Sequence, residues 1–126
     1  MELIEVWWLW IMGTVPAGAL CANTSYDVYL VYKLADEHDG LRWGDSFIQI
    51  DDKDHSRALV SFIDEDAVRV DGVAYPVRRS EGWMELWLGE FDSKHGQSEV
   101  KVGVTETTNT YAKKGLIIEG MEIRVR

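Results

Sequence analysis

The chain has 126 residues, a hydrophobic fraction of 46% and a formal net charge of -9. This length suits one domain with its own core and is too short for two ordinary domains. The negative charge would repel phosphate backbones, so nucleic acid is not expected as a partner. The longest apolar runs have the length of a strand, so we expect no transmembrane segment and no membrane partner.

The cysteine and histidine content argues against a metal site. A single cysteine, Cys21, cannot form an internal disulfide, and no cluster of Cys and His is present, so we expect a reducing compartment and no metal or cofactor. The apolar run over residues 6–22 imitates a signal peptide, but the acidic residues before it include no Lys or Arg. We therefore interpret this run as part of the folded domain.

The first third of the chain predicts two strands around a loop. Residues 3–12 are rich in aromatic and β-branched types, with Trp8 and Trp10 on one face. Residues 13–22 contain two glycines and a proline and predict a loop. Residues 26–35 predict a long central strand. The residues expected on one side are Tyr26, Val28, Leu30, Tyr32 and Leu34, and those on the other are Asp27, Tyr29, Val31 and Lys33.

Shorter strands are predicted in the middle of the chain. Residues 36–44 predict a loop, and residues 46–50 and 56–63 predict strands joined by an acidic turn at residues 51–54. Residues 67–70 and 73–77 flank Asp71-Gly72, a pair typical of a tight hairpin turn. Pro76 lacks a backbone N–H and indicates a sheet edge or a strand end.

The last part of the chain completes an all-β pattern. Residues 98–105 predict a strand with Val100, Val102 and Val104 facing inward. Residues 115–125 predict a final strand whose apolar phase changes, which a bulge at Glu119-Gly120 would explain. With about eight strands and little or no helical periodicity, the sequence predicts an antiparallel β-sandwich of jelly-roll type.

The stretch over residues 82–91 carries an unusual outer face. Alternation places Met84, Leu86 and Leu88 on a core face and Trp83, Glu85 and Trp87 on the other. Trp83 and Trp87 are about 13 Å apart along an extended strand, with Glu85 between them. Two interpretations stay open: either the tryptophans are packed beneath another part of the protein, or they receive a flat polar ligand.

A sugar fits the second interpretation. If the strand with Trp8 and Trp10 contributes to the same sheet face, the rings form a shallow platform. The C–H face of a pyranose can lie on an indole ring, while its hydroxyls and amides bond to Glu85 or to nearby Lys and Asn side chains. Core packing remains the alternative for both tryptophan pairs.

Catalysis has weaker support. Glu85 and Glu90 are close in sequence, but their five-residue separation predicts opposite faces of one strand, and nothing selects a pairing with Glu122 or Asp45 instead. The three histidines occur singly, without a nucleophile elbow, a phosphate-binding loop or a zinc pattern. We therefore expect a binding protein rather than an enzyme.

Three blocks of the sequence resemble one family when they are taken in order. They are residues 23–36 (NTSYDVYLVYKLAD), residues 78–91 (RRSEGWMELWLGEF) and residues 114–124 (KGLIIEGMEIR). These blocks resemble the plant phloem protein 2 domain, the family of the tobacco agglutinin Nictaba. The resemblance implies a single lectin domain over residues 1–126, in cytoplasm and nucleus, that binds N-acetylglucosamine oligomers or the N-glycan core without metal or catalysis.

The resemblance also suggests site residues. Trp83 and Glu85 fall on the family's Trp-x-Glu pattern, and Trp8 falls on its Trp-Leu-x-Ile strand. In place of the family's Asn-Trp pair before the last strand, this chain has Tyr111-Ala112, so Tyr111 is the expected substitute contact. The candidate carbohydrate-binding residues are Trp8, Trp10, Trp83, Glu85, Tyr111 and Lys113.

The chain departs from the family at its beginning. It starts after the strand with which the family normally opens, so the domain is expected to be truncated at its N-terminus. Trp7, Trp10 and Met12 replace a Cys, a Glu and an Arg of the family. Because Trp7, Trp8 and Trp10 would lack cover without the missing strand, we expect self-association through the N-terminal strand, or marginal stability. Since some family members carry an F-box, the alternative function is a ubiquitin-ligase substrate adaptor that has lost sugar binding.

Overall fold

The computed structural model describes residues 2–3, 9–16, 18–39, 43–63, 72–93, 99–106 and 114–126. In this part the chain forms ten strands and one short 3-10 turn, without an α-helix. The strands are β1 (Glu2–Leu3), β2 (Leu9–Val15), β3 (Thr24–Asp39), β4 (Trp43–Ile50), β5 (Lys53–Ser61), β6 (Val73–Ala74), β7 (Val77–Arg78), β8 (Met84–Ser93), β9 (Val100–Glu106) and β10 (Lys114–Val125). The number exceeds the predicted eight because it includes three strands of only two residues each, β1, β6 and β7, which the sequence pattern did not separate from their neighbours.

Two five-stranded sheets form a sandwich, which confirms the predicted fold class. The first sheet has the order β1-β10-β3-β8-β7, and the second has the order β2-β9-β4-β5-β6. The described strand pairs are antiparallel except β5–β6, which is parallel. The chain crosses from one sheet to the other at most connections, as in a jelly roll. No helix within the described ranges is long and apolar enough to cross a membrane.

The core lies between the two sheets and follows the predicted alternation. On β3, Val28, Leu30 and Tyr32 are fully buried, and on β9 the three predicted valines are buried as well. Hydrogen bonds from Tyr32 and Ser46 cross the core. The Tyr32 hydroxyl donates to the Phe62 carbonyl at 2.6 Å, and the Ser46 hydroxyl donates to the Leu88 carbonyl at 2.7 Å. These bonds satisfy polar groups that would otherwise be buried without a partner.

The prediction of one strand over residues 3–12 is wrong. β1 pairs with β10 in the first sheet, whereas β2 pairs with β9 in the second. β2 also continues through Gly13 to Val15, so the predicted loop begins too early. Gly13 fits this strand because a Cβ there would lie 3.1 Å from Met121 Sδ, and its lack of a side chain permits this close approach.

The predicted strand over residues 73–77 is divided. β6 pairs with β5 in the second sheet and β7 pairs with β8 in the first, so the chain changes sheets across the buried Pro76. Since proline cannot donate to a ladder, the division falls there, and both short strands lie at sheet edges as Pro76 predicted. The other strand of the predicted hairpin, residues 67–70, lies outside the described residues.

Turns and bulges set the register of the described strands. The predicted loop over residues 36–44 is shorter than expected, because β3 reaches Asp39 and β4 begins at Trp43. Asp51 and Asp52 both have positive φ, 51° and 65°, as in the tight turns that join hairpin strands. On β10 the pairing with β3 shifts between Ile118 and Gly120, which confirms the bulge predicted from the change of apolar phase.

A second bulge, in β8, was not predicted. Val28 pairs with Gly89 and Tyr29 pairs with Trp87, so Leu88 has no partner on β3. Gly89 has φ of 152°, and a Cβ on it would lie 2.7 Å from Ile48 Cδ1. Only glycine fits this position without displacement of a neighbour. The bulge also directs the Leu88 carbonyl toward Ser46 on the second sheet.

Candidate functional site

The candidate site lies on the outer face of the first sheet, where a short turn positions Trp83. The 3-10 turn Ser80–Gly82 has positive φ at Glu81 and Gly82, 61° and 82°. The Trp83 N–H donates to the Ser80 carbonyl at 3.2 Å, and the Arg79 N–H donates to the Trp83 carbonyl at 2.7 Å. These bonds fix the backbone of Trp83 immediately before β8.

The Trp83 indole is half-buried and has a cation beside it. Lys33 Nζ, from β3, lies 4.8 Å from the Trp83 ring centroid, within the range of a cation–π interaction. Within the described ranges, Lys33 forms no ion pair with a carboxylate. A partly exposed ring and an unpaired ammonium therefore occupy this end of the outer face.

Glu85, two residues after Trp83, is held by arginines. Arg124 donates two hydrogen bonds to its carboxylate, at 2.5 Å and 3.3 Å, and Arg79 Nε lies 3.9 Å from it. The Glu85 side chain is only 19% exposed. Paired arginine bonds of this kind fix both the position and the orientation of a carboxylate.

Arg124 connects Glu85 to a second carboxylate and to a ring. It donates to Glu122 at 2.5 Å, and its guanidinium lies 4.2 Å from the Tyr29 ring centroid. The hydrogen bond to Glu85, and then that to Glu122, raises the pKa of Arg124. The hydrogen bond from Arg124 lowers the pKa of Glu122 against the opposing effect of partial burial.

Trp87 belongs to a second group of paired charges. Its indole N–H donates to Asp27 at 3.0 Å, and Asp27 lies 3.3 Å from Arg126, which also pairs with Glu90. We call the two groups together the ion-paired block. Its members are Asp27, Arg79, Glu85, Glu90, Glu122, Arg124 and Arg126. Trp87 is therefore held by a hydrogen bond to a member of this block, whereas Trp83 lies beside the block and contacts Lys33.

The expectation that Glu85 and Glu90 lie on opposite faces is wrong. The bulge at Leu88 and Gly89 shifts the alternation, so Glu85 pairs with Val31 and Glu90 pairs with Asp27 on the same outer face. Each carboxylate is bonded to an arginine, Arg124 for Glu85 and Arg126 for Glu90. Among the described residues, no group of three or more His, Cys, Asp or Glu could hold a metal ion.

The other predicted site residues are not brought to Trp83 by the described structure. Trp8, Tyr111 and Lys113 lie outside the described residues. Trp10 lies on β2 in the second sheet, whereas Glu85 lies on β8 in the first and Trp83 immediately precedes β8, so the condition for a shared platform is not met. Their roles as sugar contacts remain predictions, and the described candidate site consists of Trp83, Glu85 and the cations around them.

Sequence reasoning missed the cations of the site. Lys33 was placed on the outer face of β3, but nothing local indicated that it reaches Trp83. Arg79 and Arg124 lie 45 residues apart in number, yet both contact Glu85 because β7 and β10 lie on either side of the β3–β8 pair. The signal available was the number of arginines and acids in residues 78–90 and 119–126, but periodicity does not say which strands are neighbours.

The resemblance to a known family is confirmed over the chain. A family model described as phloem protein 2 matches residues 1–125. The chain belongs to the phloem protein 2 family. This family is lectin-like.

Relatives of this phloem protein 2 domain include longer proteins from Arabidopsis thaliana. "F-box protein At2g02240" is 33% identical over 98% of the chain and 40% of its own length. "F-box protein PP2-B10" is 33% identical over 98% of the chain and 47% of its own length. "F-box protein PP2-B15" is 29% identical over 98% of the chain and 52% of its own length. The chain thus spans about half the length of the relatives it matches.

Proposed function

We propose that this phloem protein 2 domain binds glycans that contain N-acetylglucosamine, with a sugar ring stacked on Trp83. The observation that carries the proposal is the partly exposed Trp83 indole beside the fixed carboxylate of Glu85. An apolar ring next to an oriented polar group suits a pyranose, which has an apolar C–H face and polar edges.

Glu85 would accept hydrogen bonds from the sugar. An ionised carboxylate offers about four acceptor sites, and the bonds from Arg124 use two of them. The remaining lone pairs can accept from a hydroxyl or from the amide N–H of an N-acetyl group. Because Arg124 and Arg79 already fix the carboxylate, binding would cost little side-chain entropy at this residue.

Calorimetric titration with chitotriose tests the proposal. We expect the parent chain to bind and Trp83→Ala to lose at least about tenfold in affinity, since a central aromatic contact typically contributes more than 1.4 kcal/mol. Trp87→Phe is the matched control, because Trp87 lies on the same face but is held within the ion-paired block. Absence of heat with the folded parent, or equal losses in the two variants, would reject the proposed site.

A protein-interaction or ubiquitin-ligase substrate-adaptor role is the second candidate. It is supported by the names of the relatives, which are F-box proteins, and by their greater length. A glycoprotein compared before and after enzymatic removal of its N-glycans separates the two roles. Binding only to the glycosylated form supports the lectin, whereas binding to both forms supports recognition of the polypeptide.

We also propose self-association through β2. This strand is last in the second sheet, so its outer edge has no partner strand among the described residues, and Met12 on it is 50% exposed. Unpaired strand edges with apolar side chains favour pairing between chains. Sedimentation over a range of concentrations tests this, and a strictly monomeric chain would contradict it.

A further inference from the structure

Among the described residues, Lys33 and Arg124 each lie over an aromatic ring on the outer face, and they differ in their partners. Arg124 lies over Tyr29 and is neutralised by Glu85 and Glu122. Lys33 lies over Trp83 and has no carboxylate partner within the described part of the chain. The charge of Arg124 is thus already satisfied within the protein, whereas the charge of Lys33 is available to a ligand.

The position of Lys33 affects how a sugar can reach the ring. Its ammonium covers one face of the Trp83 indole at 4.8 Å from the centroid, the distance range that a stacked sugar also occupies. A sugar that stacks on this face must displace the ammonium and remove its cation–π interaction. A neutral sugar compensates for only part of the lost cation–π interaction. A ligand with a negative charge beside the stacked ring compensates for it through an ion pair with the displaced ammonium.

We propose that the site prefers glycans whose stacked sugar carries an acidic group, a sulfate or a carboxylate, that binds the Lys33 ammonium. The inference rests on the proposed function, since it concerns the same ring. The flexible four-carbon side chain of lysine allows the ammonium to move from the ring to a ligand group without a change in the backbone.

The neighbouring charges make Lys33 the cation best suited to this role. Arg79 is also near Trp83, but its guanidinium already pairs with Glu85 and Glu122. The net charge of -9 repels anions at long range, so the attraction must be local. Contact between a sulfate and Lys33 acts well within the screening length of about 8 Å at physiological salt. The preference should therefore decrease, but not vanish, when salt is raised.

The test compares chitotriose with 6-O-sulfated chitotriose by calorimetry on the full chain. We expect the sulfated sugar to bind the parent about three- to fivefold more tightly, the upper part of the range for an exposed ion pair. Lys33→Met should affect the two sugars differently. Binding of the sulfated sugar weakens, while binding of the neutral sugar is unchanged or tighter, because no ammonium has to be displaced.

Lys53→Met is the matched control. It changes the net charge by the same amount, but Lys53 is exposed on β5 in the second sheet. It should leave both affinities unchanged. Equal affinities for the two sugars on the parent, or a preference that survives in Lys33→Met, would overturn this inference while chitotriose binding still supports the lectin. If the folded parent binds neither sugar, the proposed function fails as well.

Discussion

The two faces of the first sheet are stabilised by different physical effects. On the inner face of β8, Met84, Leu86 and Leu88 are at most 7% exposed and pack into the core. On the outer face of the same strand, Glu85 and Trp87 are held by partners from β3 and β10. Burial on the inner face contributes most of the stability, because partly exposed ion pairs contribute little. Residues on the outer face can therefore serve ligand binding with little effect on the free energy of unfolding.

Removal of a core side chain should give the largest effect. Leu86 is fully buried and pairs with Leu30 on β3, so Leu86→Ala leaves a cavity between the sheets. We expect a loss of about 2–5 kcal/mol in the free energy of unfolding, measured by urea denaturation. Val77→Ala is the control, since Val77 lies on the edge strand β7 and is 62% exposed. Its loss should stay within about 0.5 kcal/mol, and equal losses would contradict the comparison.

The bulge of β8 should be the next most sensitive point. Gly89→Ala places a Cβ 2.7 Å from Ile48 Cδ1 at φ of 152°, which strains both the backbone and the core. We expect a loss of about 1–3 kcal/mol, again measured by urea denaturation. Gly120→Ala, at the bulge of β10, is the matched control because nothing lies within 4 Å of the position of its added Cβ. If the free energy of unfolding of Gly89→Ala equals that of the parent, the β8 bulge does not fix the positions of the side chains on the outer face.

The inner face was predictable from sequence because alternation is a local property. Met84, Leu86 and Leu88 were assigned to the core from their spacing alone, and the bulge at Gly120 followed from a change of apolar phase. A change of apolar phase is also present in β8, but it was not used to predict the bulge there. Leu88 and Phe91 are three residues apart and both buried, with Gly89 between them.

The outer face was less predictable because its contacts depend on strand order and register. Alternation places Lys33 and Trp83 on an outer face, but only the pairing of β3 with β8 brings them together. The apolar run that begins the chain gave no sign that β1 and β2 separate into two sheets. For this reason the condition for the predicted tryptophan platform is not met. Whether Trp10 and Trp83 lie on the same sheet depends on where the chain crosses from one sheet to the other, and periodicity does not encode this crossing.

Arg124 sharpens the comparison because it is the central cation of the ion-paired block. Arg124→Met leaves the carboxylates of Glu85 and Glu122 near each other, and among the described residues only Arg79 remains to neutralise them. We expect a lower midpoint of thermal unfolding. The decrease in this midpoint should be smaller than that of Leu86→Ala measured in the same way, because the block is partly solvated. Removal of one carboxylate as well, in Arg124→Met/Glu85→Gln, should recover part of the loss. Strictly additive losses would show that Arg124 and Glu85 do not interact.

The smallest expected effect is the pH dependence contributed by Glu122. The hydrogen bond from Arg124 lowers the pKa of Glu122 in the folded protein, so the unfolded chain binds its proton more readily. The resulting stabilisation is complete above the ordinary glutamate pKa of about 4.3 and is lost as the pH falls through the lower folded value. Urea midpoints measured between about pH 6 and pH 3 should therefore fall less steeply for Glu122→Gln than for the parent.

Glu119→Gln is the control for this measurement, because Glu119 is exposed on the same strand and forms no ion pair among the described residues. Its pH dependence should follow that of the parent, although it removes the same charge. If Glu119→Gln and Glu122→Gln flatten the profile equally, net charge rather than the contact with Arg124 sets the acid sensitivity. In that case the acid response of the outer face would follow its overall charge, and the contact between Glu122 and Arg124 would not set it.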